Sequence, residues 1–383
     1  MIDFNIIRNS YNENIKQPKF KQAILKEYFQ YKILDIIYNS EWSDYLVFLG
    51  GTNLRIIYDF RRFSDDLDFD IKGDYDETDH EDMCRYVCNQ LAKEGVEVEI
   101  DSEKKINKDH HRAYTGYINF PKMLKIQGIH NDPRKKFFVK LDAQAHNYGN
   151  FSYTAEDRII NRFGVFTSIK TTPVDVILSM KYCSILERAK GRDFYDVTEL
   201  VNLTKPNIDY LLNRFKYGKL KEEYYGPIHL KELIIKETDK MGPKVWDEKT
   251  KEIERYIFIP AESSKILHFK NWIKDPSFLR TFGFEVTGDN SVYDHVLSPA
   301  KRLRLNRYNR KVDISCYPDS SFFVPTPQRA DVSLTFKNVY GDKIGKPLTN
   351  YPEKIKLKKD FNIISFELNP ESNDPINIDV KFY

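Results

Sequence analysis

The stretch that most constrains this chain is FLGGTNLRIIYDFRRFSDDLDFDI, from Phe48 to Ile71. An apolar run, Leu46 to Leu49, meets the pair Gly50-Gly51. A second run then alternates as Asp66-Leu67-Asp68-Phe69-Asp70. Strand side chains change sides with period two, so the three acids share one side and Leu67 and Phe69 take the other. Like charges that close repel and raise one another's proton affinity. The fold has to answer that repulsion.

Bound cations answer it directly, because they reverse the local logic of proton affinity. Two carboxylates at i and i+2 point into one site, and a third from a neighbouring strand completes an oxygen cage for Mg²⁺, or for Mn²⁺. The candidate third acid is Asp142 in FFVKLDAQ, where it alternates with Lys140 and Gln144 on one face. Its other reading is an ion-pair partner for a strand neighbour. A metal cage needs a phosphate to hold. Gly50-Gly51-Thr52 opens a helix directly after a strand, where free N–H groups and the helix dipole favour an anion. The fourteen residues from Thr52 to Asp65 let the helix fold back, so turn and acids can meet.

Each piece alone is ordinary. A Gly-Gly pair is usually a tight turn, and an isolated D-x-D is usually a solvated strand edge. Asp70 lies further from the turn and reads as an exposed or paired acid. Arg61 and Arg62 read as neutralisers of the acidic cluster. His110-His111 would point to opposite sides of an extended segment, which favours a loop or nucleic-acid contact over a metal pair.

Hydrophobic spacing predicts an amphipathic helix over 17–40 and a strand over 45–49. A short helix over 52–59 and the acidic strand over 66–71 follow. A helix over 78–94 and strands over 96–100, 113–126 and 136–145 make residues 1–170 an α+β domain with a mixed sheet. Pro173 suits a first helical turn. Helices from 174, from about 192 and over 208–217 make 171–250 a helical bundle, with a linker over 238–255. After 255, short alternating runs at 256–259, 303–305, 332–336, 363–368 and 376–380 read as an all-β sandwich over 256–383. Within it, KRLRLNRYNRK (301–311) carries six basic residues and a tyrosine, suited to a phosphate backbone or to a charge-protected edge strand.

Bulk numbers set the frame. A prior of roughly 150 residues per domain makes 383 residues two or three domains. Net charge is +3, so any basic surface is local. No apolar run approaches the roughly 20 residues that span a bilayer, and the N-terminus lacks a signal-peptide core. Cys84, Cys88, Cys183 and Cys316 suggest no disulfide framework, and the expected compartment is a reducing cytoplasm.

Taken together, the Gly-Gly turn, D-x-D and a later carboxylate resemble the nucleotidyltransferase superfamily that includes DNA polymerase beta. GGTNLR followed by RFSDDLDFD is similar to the AbiEii/AbiGii toxin branch, which reads GGT-x-L-[KR] and then R-F-S-x-D-[LI]-D. The run from Lys181 through Arg188, Lys190, Arg192, Asp193 and Asp196 resembles that branch's K…R-x-K-x-R-D-x-x-D helix pair. The likeness covers about residues 20–220 and leaves the C-terminal β region without a counterpart.

The resemblance implies a Mg²⁺-dependent enzyme that moves a nucleoside monophosphate from an NTP to an acceptor hydroxyl. It implies a bacterial toxin of abortive infection and phage defence, acting on tRNA 3′ ends and paired with an antitoxin. Asp66, Asp68 and Asp142 would bind metal. Gly50, Gly51, Thr52, Arg55 and Ser64 would contact the triphosphate. Lys181 would reach phosphates, Asp193 would be the essential acid of the later motif, and Lys190, Arg192, Arg188 and Asp196 would support nucleotide or acceptor. Two rivals remain at this point: a protein or small-molecule acceptor, and a non-catalytic nucleotide-binding regulator.

Overall fold

The structure, a computed structural model, describes residues 3–282 except 102–111, 147, 222–223, 225, 276–277 and 279–280, and beyond these the strands between Val286 and Phe382. His110-His111 and Cys316 lie outside the described residues, as do the side chains of the basic run 301–311. The chain forms two compact units. One comprises Met1–Tyr182, Lys190–Leu200 and Asp247–Ile266; the other comprises Cys183–Ala189, Val201–Trp246 and Leu267–Tyr383.

In the first unit, α1 (Phe4–Asn9) and α2 (Lys21–Tyr38) precede β1 (Leu46–Leu49), α3 (Gly50–Ile57) and β2 (Asp66–Ile71). Next come α4 (Glu77–Lys93), β3 (Glu99–Asp101), β4 (Ala113–Asn119), α5 (Met123–Ile126) and β5 (Phe138–Gln144). A hairpin of β6 (Glu156–Arg162) and β7 (Val165–Thr171) leads to α6 (Val174–Glu187) and α7 (Gly191–Leu200). The strands make one seven-stranded mixed sheet in the order β3-β4-β5-β2-β1-β7-β6. The pairs β2/β5 and β1/β7 are parallel, and the others are antiparallel.

The helix α2 is the core element. Ile24, Leu25, Ile33, Leu34 and Ile37 are buried as it crosses β7 and β5. At its end the Tyr38 hydroxyl accepts the Phe48 N–H at 3.1 Å and lies 2.9 Å from the Leu46 and Lys170 carbonyls. It thereby ties α2 to the strand that feeds the Gly-Gly turn. The start of α4 is fixed by a reciprocal capping box between Asp76 and Asp79.

The second unit contains α8 (Ile208–Tyr217), α9 (Pro227–Asp239) and, beyond α10 (Pro243–Glu254), α11 (Lys265–Trp272). It also holds β8 (Val286–Thr287), β9 (Ala300–Leu305), β10 (Lys311–Ser315), β11 (Ser321–Val324), β12 (Val332–Asn338), β13 (Lys343–Pro347), β14 (Glu353–Lys356), β15 (Phe361–Leu368) and β16 (Ile376–Phe382). These form a five-stranded sheet, β13-β12-β15-β10-β8, and a four-stranded sheet, β14-β11-β16-β9.

Several sequence expectations change. The strand expected over 113–126 stops at Asn119, because Pro121 and the left-handed Lys122 (φ 57°) turn the chain into α5. The hairpin β6–β7 has no counterpart among the expected elements; it reverses through Phe163 and Gly164, both at positive φ. The expected linker over 238–255 is mostly α10, with Trp246 and Ile253 buried two turns apart. The expected strand 256–259 is reduced to a single bridge between Ile257 and Arg62, and a 3₁₀ turn, Pro260–Ser264, follows.

A buried ionic joint holds α2 to α3. Glu27 accepts from Arg55 Nε at 2.8 Å, from Arg162 at 3.0 Å and from the Tyr11 hydroxyl at 2.8 Å. Removing one member of such a network strands the buried charge of the others. We expect Glu27→Leu to cost about 3–5 kcal/mol of unfolding free energy, read by urea titration of the full chain.

Candidate active site

The site begins with a register. Where β2 runs parallel to β5, Asp66 stands opposite Lys140 and Asp68 opposite Asp142. On the other side of β2, Asp68 faces Leu49, the last residue before the Gly-Gly turn. Two acids 74 positions apart in sequence thus become neighbours on one sheet.

The turn is built around that neighbourhood. Gly50 adopts φ +83°, and a Cβ there would run into the Asp68 carboxylate, with Asp68 Cγ only 2.9 Å away. Gly51 is crowded by different groups. A Cβ there would lie 2.6 Å from Arg62 Nη2 and 2.7 Å from Ser64 Oγ. The glycine pair therefore gives room to a carboxylate and to a guanidinium with a hydroxyl. Thr52 is buried and donates its hydroxyl to the Asp66 carbonyl, locking the first turn of α3 to the acidic strand. Asn53 donates to the Phe48 carbonyl at 3.0 Å and closes the strand end.

The acids differ in their company. Asp142 accepts from the Thr115 hydroxyl at 2.6 Å and is paired with Lys140 on its own strand. Burial, then the neighbouring Asp66 and Asp142, pushes the Asp68 carboxyl up to about 7, while Lys181 and Arg192 pull against it. Asp66 is raised in the same sense by burial, with Lys140 opposing. Asp70 is not exposed. It is fully buried and accepts from the His146 N–H at 2.8 Å, the Tyr153 hydroxyl at 2.6 Å and Lys72 at 2.7 Å. Those partners make it a structural acid.

The later motif arrives from α6 and α7. Lys181 contacts Asp196 Oδ2 at 2.7 Å and Asp193 Oδ1 at 3.4 Å, all three buried. Asp196 is gripped a second time by Arg62, Nε to Oδ1 at 2.6 Å and Nη2 to Oδ2 at 2.7 Å. Against the burial that would raise it, Arg62 and then Lys181 hold the Asp196 carboxyl below the usual range. Arg62 is therefore not a neutraliser of the 66–70 acids, and Arg61 pairs with Glu262 at 3.3 Å.

The structure thus brings together Gly50, Gly51, Thr52, Ser64, Asp66, Asp68 and Asp142, with the charges of Lys181 and Arg192 reaching Asp68. It places Asp193 beside Lys181. Lys190 is exposed at the start of α7. Arg55 is committed elsewhere, to Glu27, Asp59 and the Phe60 carbonyl. Lys140, Thr115 and Arg62 are the site residues that spacing alone did not single out. Lys140 was visible as a same-face neighbour of Asp142, whereas nothing local signals a bond from Arg62 to a residue 134 positions away.

Carboxylate oxygens on adjacent strands, with Asp68 crowded to the point of holding a proton, are the donor chemistry that a hard divalent cation relieves. The fit lies in donor type. Lys140 occupies Asp142, and among the described residues no three acidic, histidine or cysteine side chains are gathered closely enough to hold a metal ion.

A family model described as "Nucleotidyl transferase AbiEii toxin, Type IV TA system" matches residues 32–260, more than half of the chain. Among solved structures, MenT4, a nucleotidyltransferase toxin from Mycobacterium tuberculosis H37Rv, is similar at 13% identity and a TM-score of 0.41, covering 74% of this chain and 94% of that one. A candidate nucleotidyltransferase from H. pylori is similar at 15% identity and a TM-score of 0.42, covering 68% and 96%. No curated protein sequence matches.

Two outcomes follow from the geometry. Gly50→Ala sets a methyl group against the Asp68 carboxylate at an unfavourable φ, and we expect a loss of about 1–3 kcal/mol, measured by chemical denaturation. Asp68 in the folded protein keeps a proton that the unfolded chain releases near pH 4. With divalent metal removed, its contribution therefore weakens stability as pH rises from about 4 to about 7. Asp68→Asn should raise the melting temperature at pH 8 and leave it nearly unchanged at pH 4, by calorimetry in EDTA.

Proposed function

The chain belongs to the AbiEii family of nucleotidyl transferase toxins, and on that premise we propose that it transfers a nucleoside monophosphate from an NTP to a hydroxyl at the tRNA 3′ end. The observation that carries the reading is the register of β2 on β5, which seats Asp68 beside Asp142 and against the Gly50–Gly51 turn. In this reading the N–H groups at the start of α3 receive phosphate oxygens, and the Ser64 hydroxyl stands against the same turn. Lys181, Arg192 and Lys190 add positive charge for the triphosphate, and Asp193 steadies Lys181.

The acceptor oxygen bonds to the α-phosphorus as the bond from that phosphorus to its bridging oxygen breaks. Pyrophosphate leaves, and the carboxylate cluster takes the hydroxyl proton. Mg²⁺ or Mn²⁺, when bound, would be held by Asp66, Asp68 and, once it is released from Lys140, Asp142, and would neutralise charge on the reacting phosphates. Catalysis by the chain's own residues is then placement and electrostatics.

Thr52 contributes by holding the turn to the acidic strand, and Arg55 by holding α3 to α2. The same reading makes residues 1–170 the catalytic domain and 171–250 the helical section that completes its site. It makes the strands from Val286 to Phe382 a β-sandwich for acceptor or partner. It also makes the protein a cytoplasmic agent of phage defence, restrained by an antitoxin. No described helix is long and apolar enough to cross a membrane.

The test incubates purified protein with total bacterial RNA, Mg²⁺ and each α-labelled NTP in turn, beside Asp66→Ala/Asp68→Ala. We expect label in the tRNA band, reduced about a hundredfold or more in the double variant. Pyrophosphate release without label in RNA would move the acceptor to a protein or small molecule. Label of equal strength from the double variant would sink the reading.

A further inference from the structure

Arg62 is an arginine with 1% of its surface exposed, bonded to a fully buried aspartate. Its guanidinium touches two motifs that are far apart in sequence. One edge lies against the backbone of Gly51, where a Cβ would come within 2.6 Å of Nη2. The same Nη2, together with Nε, grips both oxygens of Asp196 on α7. Asp196 Oδ2 is shared with Lys181 at 2.7 Å. A line of direct contacts thus runs from the Gly-Gly turn through Arg62 and Asp196 to Lys181. The remaining Arg62 donor, Nη1, bonds to the Phe63 carbonyl at 3.0 Å and fixes the plane of the fork.

The arrangement is more than charge balance. A guanidinium that chelates a carboxylate from two points sets its rotation, which a point charge does not. With Asp196 fixed in rotation, the oxygen that faces Lys181 is fixed too. Asp193, at 3.4 Å, is a longer and weaker second anchor.

We propose that Arg62 is a positioning residue for nucleotidyl transfer: by clamping Asp196 it sets where Lys181 stands relative to the Gly50–Gly51 turn. The proposal rests on the functional reading above for its kinetic consequence, and on the contacts alone for the placement of Lys181. It also accounts for the Arg-Phe-Ser segment just before the acidic strand, in which Arg62 aligns the later motif and Ser64 borders the turn.

The test uses the full chain, with Arg62→Lys and the double variant Arg62→Met/Asp196→Leu. Arg62→Lys keeps the buried charge and loses the two-point grip. The double variant removes the pair together, which retains folding better than stranding either charge. One readout needs no turnover: trace acetylation of Lys181, quantified by mass spectrometry against Lys93 as an exposed reference. We expect its rate to rise about tenfold in Arg62→Lys, as coupled neighbours typically shift one another by that order. The second readout is transfer kinetics. We expect kcat to fall about a hundredfold in both variants, with KM for the NTP changing far less, as for a misplaced catalytic group.

Wild-type kcat in the double variant, or unchanged Lys181 acetylation in Arg62→Lys, would overturn the proposal and leave Arg62 as a structural brace. If the wild-type protein transfers no nucleotide while Lys181 acetylation responds as expected, the functional reading fails and the positioning contact stands.

Discussion

Everything at this site depends on one repulsion. The parallel register of β2 on β5 sets Asp68 beside Asp142, with Asp66 two residues away on the same strand. Surrounding protein and the neighbouring carboxylates disfavour its charge, and Asp68 responds by holding its proton up to about pH 7. The surrounding structure reads as a set of answers to that cost. Lys140 pairs Asp142 along its own strand, Thr115 donates to the same carboxylate, and Lys181 and Arg192 bring positive charge from α6 and α7. A site held in this state is poised for anything that delivers positive charge with it.

The Gly50–Gly51 turn has two physical roles. In the proposed reaction it receives phosphate oxygens. Packing shows that each glycine is also required by what leans on it: the Asp68 carboxylate at Gly50, and Arg62 with Ser64 at Gly51. Internal packing thus requires glycine at both positions, and the proposed phosphate contact asks for the same residue type. Buried ionic joints set the frame around this turn. Glu27 with Arg55 and Arg162 anchors α3 from one side, and Arg62 with Asp196 anchors α7 from the other. Such joints add little net stability when compared with apolar packing, yet each is severe to break. That asymmetry suits a frame that holds reacting groups in place.

Much of this was legible beforehand. The acidic strand lies at 66–71 as its alternation indicates, and α2 and α4 fall within a few residues of their apolar spacing. Local rules govern such elements, because side-chain period and capping are properties of neighbouring residues. The departures also have causes. The hairpin β6–β7 hides in a polar-looking stretch, since Ile159 and Phe166 face outward on its exposed side. The helix α10 resembles a linker in sequence because its charged residues dilute an apolar signal carried mainly by Trp246 and Ile253.

The sequence by itself determined the chemistry: three acids in period two, a Gly-Gly turn before them, and a later cluster of lysine, arginine and aspartate. It also determined the elements that carry these groups, because hydrophobic period acts over a few residues. Only the tertiary structure decided the company each charge keeps. It buried Asp70 under Tyr153 and His146, sent Arg55 to Glu27, gave Asp142 to Lys140, and joined Arg62 to Asp196 across 134 positions. Pairings of that kind follow from strand order and helix packing, which no local pattern encodes, and in a desolvated interior the partner decides whether a charge braces the fold or serves the site.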